Sequence, residues 1–87
     1  MNLAAAEQLI AGELNRVIQK ALGALNEDHR LVFVLKILHK MPYVEISRIS
    51  GSSVGKLKTD LHRARLEMGQ RLAQYLGRHA AGKRVMS

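Results

Sequence analysis

The stretch "GSSVGKLKTDLHRAR", residues 51–65, opens on a turn signal and closes in a run of cations. At about 100° per residue, Leu57, Leu61, Ala64, Met68 and Leu72 fall on one face, a stripe suited to a helix lying on a core. The opposite face carries Gly55, Thr59, His62, Arg63 and Leu66, with Lys56 and Lys58 on its flanks. Ser52 and Ser53 offer N-caps for this helix, since a serine hydroxyl accepts from a free amide of the first turn. Just upstream, "YVEISRIS" (43–50) reads as a short helix ended by Gly51, a residue that takes a left-handed conformation at little steric cost. A short helix, a glycine turn and a longer basic helix make a helix-turn-helix pattern. Early outward residues of the second helix are the ones that reach base edges, and its flanks hold phosphates.

Upstream of that motif, Met41-Pro42 breaks the chain, because proline lacks an amide proton and restricts the residue before it. "DHRLVFVLKILHK" (28–40) precedes the break. Its β-branched middle could pass for a buried strand, but Asn26 as N-cap, Glu27 and Asp28 in the first turn and cations at the far end favour a helix. In the first segment Leu3, Leu9, Ile10, Leu14, Val17, Ile18, Ala21, Leu22 and Leu25 recur at helical spacing. The last helix is predicted to run from about Val54 to Leu76 and to stop at Gly77. The sequence thus predicts an all-α, four-helix domain over residues 1–76, with a C-terminal helix-turn-helix, followed by a basic, mobile tail over 77–87.

Composition narrows the function. The 87 residues carry a formal net charge of +7, so polyanions are the expected partners, nucleic acid first and an anionic membrane surface second. The longest apolar run, "LVFVLKIL", is interrupted by Lys36 and is far too short to span a bilayer. No signal-peptide pattern opens the chain, and the absence of cysteine excludes disulfides and suits a reducing cytoplasm. His29, His39, His62 and His79 are scattered, with no pair at the helical i, i+4 spacing common in metal sites. Glu45 has no paired base, and no nucleotide fingerprint occurs. Neither catalysis, metal nor cofactor is expected.

"YVEISRISGSSVGKLKTDLHRARLEM" (43–68) resembles region four of bacterial sigma factors, most closely the extracytoplasmic-function group. Glu45-Ile46-Ser47 matches that family's Glu-Ile-Ala. Val54-Gly55-Lys56-Leu57 matches its Val-Gly-Thr-Val entry, and Lys58 to Arg65 its basic run ending in Arg-Ala-Arg. Upstream, "ALGALNEDHRLVFVLKIL" (21–38) resembles the two preceding helices, with Asn26 where the family usually has proline. The likeness covers about Val17 to Leu72. It implies a cytoplasmic transcription initiation domain that recognises the minus-thirty-five promoter element and docks on the flap of the RNA polymerase beta subunit. Many members are held inactive by an anti-sigma factor. By position, Lys58, Thr59, His62 and Arg63 would face bases and nearby phosphates. Lys56 and Arg65 would support the DNA backbone, and Ser53 joins this DNA-binding set. Region two, the part of a sigma factor that opens the promoter, has no counterpart in these residues.

Three positions depart from the family pattern. Asp60 stands where arginine is common, near the DNA backbone. Its charge would repel phosphate unless it pairs with Lys56 or Arg63, at i−4 and i+3, and Asp60→Arg is predicted to strengthen DNA binding. Ser50 and Ser52 replace apolar residues and are predicted to loosen the turn by removing core contacts. These departures support an alternative, a degenerate region four that binds an anti-sigma factor or another transcription regulator rather than DNA. Its partner-facing candidates are Phe33, Ile37, Asp60 and Leu66, the last pointing away from the core stripe.

Overall fold

A computed structural model describes residues 3–84. Four helices follow one another: α1 (Leu3–Ala24), α2 (Glu27–Phe33) continuing into a π-helical turn (Val34–Leu38), α3 (Tyr43–Ser50) and α4 (Val54–Arg84). No strand occurs among the described residues. Asn26 caps α2, its Oδ1 accepting from the His29 amide at 2.8 Å, with Glu27 and Asp28 in the favourable first turn. The Arg30 guanidinium reaches back to the carbonyls of Gly23 and Leu25, both at 3.4 Å, and covers acceptors left open at the end of α1.

The sequence predicts one uninterrupted helix over residues 28–40, and here the structure differs. The His39 amide donates to the Val34 carbonyl at 3.1 Å and the Met41 amide to that of Leu35 at 2.9 Å. The turn is therefore wider than an α-helical one. All side chains from Phe33 to Ile37 are half-buried in it, more than a single α-helical stripe presents to a core. The chain then leaves the helix at Lys40, whose φ of 55° is left-handed, just before the Met41-Pro42 break. Pro42 opens α3, its carbonyl accepting from Glu45 and Ile46.

α4 is the spine, with α1, α2 and α3 all packed against it. One core cluster joins Ala21, Leu22 and Leu25 of α1 to Ala64 and Met68 of α4. The other joins Val32 of α2 and Ile46 of α3 to Leu57 and Leu61 of α4. The predicted stripe Leu57, Leu61, Ala64 and Met68 is buried throughout. Phe33 packs against both clusters, and Ile37 against the second. Both of these partner-facing candidates are therefore half-buried beside the core, on the wide π turn.

Two further expectations are corrected. Leu14 remains 46 % exposed, because the first core cluster draws its α1 residues from Ile18 onwards. Leu3, Leu9 and Ile10 lie outside the residues whose side chains are described. Helix α4 does not stop at Gly77 but runs to Arg84. Gly51 is the positive-φ glycine among the described residues, so Gly77 supplies no left-handed cap. A helical glycine weakens a helix by about 1 kcal/mol relative to alanine without ending it. Residues 85–87 of the expected tail lie outside the described residues.

Candidate nucleic-acid interface

The turn between α3 and α4 is built from backbone geometry and serine hydroxyls. Gly51 has φ +76°, and its amide closes α3 by donating to the Ser47 carbonyl at 2.9 Å. The Ser47 hydroxyl donates to the Ser52 carbonyl, and the Ser52 amide donates to Ser50 Oγ at 3.2 Å. The expected loosening by Ser50 and Ser52 is therefore corrected. Hydrogen bonds, each typically contributing about 0.5–1.5 kcal/mol net, stand where apolar contacts were expected. Ser53 is the N-cap: its Oγ accepts from the Lys56 amide at 3.1 Å and its carbonyl from Leu57 at 3.0 Å.

From that cap, α4 presents Lys58, Thr59, His62, Arg63 and Arg65 to solvent. They share the outward side of a helix whose inward side is the second core cluster, so their positions are fixed by buried leucines. The Thr59 hydroxyl donates to the Gly55 carbonyl at 3.2 Å, which orients its oxygen as an outward acceptor. A Cβ at Gly55 would meet nothing within 4 Å, so packing does not require glycine there. What Gly55 leaves is a gap in the outward face.

Asp60 does not belong to this surface. Only 6 % of it is exposed, and it points between α4 and α2. Its Oδ2 accepts from Lys56 Nζ at 2.7 Å, and its Oδ1 lies 3.8 Å from His29 Nε2. Lys56 also donates to Asp28 Oδ2 at 3.0 Å. Hydrogen bonds to Asp60 and then Asp28 raise the Lys56 ammonium above the ordinary lysine range, so it is held charged. Of the two expected partners, Lys56 is found and Arg63 is not. Neither a protein-partner role for Asp60 nor stronger DNA binding by Asp60→Arg fits a carboxylate enclosed between two helices. Asp28 and His29 were not readable as its neighbours, because they lie about thirty residues away and no local spacing marks the pair.

Leu66 is 56 % exposed. It lies with Arg63, Glu67 and Gln70 along an open trough on α4, where Arg71 donates to Glu67 at 3.0 Å. Among the described residues no group of His, Asp or Glu gathers to hold a metal, and no helix is long and apolar enough to cross a membrane.

The fold and its exposed basic face define a helix-turn-helix domain, with α3 as the first helix and α4 as the recognition helix. The family model "Sigma-70, region 4" matches residues 15–68, and the chain belongs to that family, in its extracytoplasmic-function type. It is 33 % identical over 60 residues to the RNA polymerase sigma factor YlaC of Bacillus subtilis, covering 69 % of this chain and 35 % of that protein. It is 32 % identical over 66 residues to the ECF RNA polymerase sigma factor SigW of the same organism, covering 76 % of this chain and 35 % of that protein. The chain thus spans about a third of the length of these curated relatives. No solved structure gives a significant match.

Proposed function

We propose that this chain acts in transcription initiation as a promoter-reading domain, laying the N-terminal half of α4 in the major groove of a minus-thirty-five element. The observation that carries the reading is the exposed set Lys58, Thr59, His62 and Arg63 on one face of a helix held from behind by Leu57 and Leu61. Lysine and arginine donate to guanine edges and phosphates, threonine donates or accepts, and histidine offers a switchable ring nitrogen. Arg65 lies on the flank as a backbone contact. Ser53 caps the helix and brings its oxygen to the same end. Lys56 is already held by two carboxylates, so it fixes α4 against α2 more than it neutralises phosphate. The domain works by binding and positioning, not by catalysis, and its place is the cytoplasm.

The rival reading, a protein-binding module that has lost DNA recognition, loses most of its support. Asp60 is enclosed, and Ser50 and Ser52 are hydrogen-bonded within the turn; exposed Leu66 is what still favours it. Docking on the polymerase beta-subunit flap accompanies DNA binding in this proposal. Leu31, Leu38, Val44 and Ile49, all exposed, supply apolar area on elements other than α4. An anti-sigma factor would act by covering these same surfaces.

The test compares two cation deletions that lower the net charge equally. Arg63→Ala is expected to lower affinity for a selected promoter duplex on the order of tenfold or more and to relax base preference, as loss of a base-reading arginine does. Lys83→Ala, far along the helix, is expected to change it little. Equal losses in fluorescence anisotropy titrations would mean diffuse charge attraction and would sink the docking of α4.

A further inference from the structure

We propose that Lys36 and Lys58, gathered over the ring of Tyr43, form a DNA backbone-phosphate site beside the recognition helix; this rests on the DNA-binding reading above. Lys36 Nζ lies 4.5 Å from the Tyr43 ring centroid and Lys58 Nζ 5.7 Å from it. The two ammoniums are therefore no further apart than the sum of those distances, although they come from different elements. Lys36 lies in the π-helical turn, Tyr43 is the first residue of α3, and Lys58 is on the first turns of α4. Wide π turns are frequent at functional sites, and this one brings Lys36 alongside the motif.

The electrostatics point to an anion. The face of an aromatic ring is attractive to a cation, by about 0.5–1 kcal/mol at an exposed site, but it is neutral and does not cancel the repulsion of two like charges. Two other cations of the helices are met by carboxylates: Lys56 has Asp28 and Asp60, and Arg71 has Glu67. Among the described residues neither Lys36 nor Lys58 forms an ion pair. Glu45, the acid of α3, forms none with them. Two cations held on one platform with no acid between them are prepared for an external anion.

The position selects the DNA backbone as its source. In a helix-turn-helix the first helix crosses the backbone while the second enters the groove. Tyr43 opens that first helix, and Lys58 flanks the outward face of the second. A phosphate beside α4 therefore passes the Tyr43 platform. In the sequence Lys36 read as an interruption of an apolar run and a cation near a helix end; the three-element convergence that gives it a role is a product of the fold. Tyr43 is a positioning residue here, since it holds the lysines and need not touch the phosphate.

The test uses the full chain and a duplex selected from a random-sequence pool, with a scrambled duplex beside it. Lys36→Gln is expected to weaken both on the order of fivefold and to make the log–log salt slope shallower by about 1, since a phosphate contact carries no sequence information. Tyr43→Phe should keep wild-type binding and Tyr43→Leu should not. In a Lys36→Gln, Lys58→Gln background, Tyr43→Leu should add no further loss, whereas a merely structural tyrosine would still matter. An unchanged affinity and salt slope in Lys36→Gln, with Arg63→Ala still disrupting base preference, would overturn this site and leave the DNA-binding reading standing. Binding to anionic vesicles or free phosphate that depends on Lys36, with DNA binding indifferent to it, would also overturn it. A wild-type chain that binds neither duplex would remove both.

Discussion

Asp60→Arg is expected to destabilise the domain by about 1–3 kcal/mol, the usual cost of forcing a larger side chain into a packed site. The carboxylate is enclosed between α2 and α4, with Lys56 at 2.7 Å and His29 at 3.8 Å. Arginine at this point places a second cation against Lys56, removes the acceptor facing His29, and forces a longer side chain into the space. Small domains have a total stability of only about 5–15 kcal/mol, and 1 kcal/mol moves the melting temperature of a domain this size by about 4–8 °C. The melting temperature should therefore fall by roughly 4 °C or more, and promoter binding should fall with it. Asp60→Asn, which keeps an acceptor, should lose less. An unchanged melting curve with tighter DNA binding would place Asp60 on the DNA-facing surface and contradict its burial.

Leu57→Ala is the second large effect. Leu57 is 2 % exposed and holds α4 to Val32 and Ile46 beneath the recognition surface. Truncating such a leucine typically destabilises by about 2–5 kcal/mol, through lost burial and the cavity left behind. DNA binding should weaken although no outward side chain is altered. Leu66→Ala, on the opposite face, removes the same atoms from solvent and should stay within about 0.5 kcal/mol of wild type. Denaturant unfolding of the two variants side by side checks this; equal losses would mean that the inward and outward faces of α4 are misassigned.

Local signals explain what was legible in the sequence. Asn26, Gly51, Ser53 and the Leu57-to-Met68 stripe each act within one helical turn or one cap, so spacing alone revealed them. The motif α3–turn–α4 followed from the same periodicity, which also put Thr59, His62 and Arg63 outward with Lys58 on the flank; choosing these four as the DNA-facing set came from the family resemblance. Asp60 was misplaced because the angle it takes on α4 lies at the edge between the two faces. Its side depends on α2, which packs there through contacts distant in sequence. The π turn was equally hidden: the run of apolar residues from Leu31 to Leu38 fits a continuous helix as well as a widened one. Gly77 was read as a stop from residue type, whereas a glycine caps a helix only where it takes the left-handed conformation, which Gly77 does not.

The central claim, that the outward face of the N-terminal half of α4 contacts DNA, is tested most directly by following backbone amide resonances of the whole chain while a selected promoter duplex is added. The expected result is a set of shifts concentrated on Ser53 to Arg65, strongest around Lys58, Thr59, His62 and Arg63, with α1 little changed. Shifts confined to the trough around Leu66 and Gln70, or spread evenly over every basic residue, would contradict it.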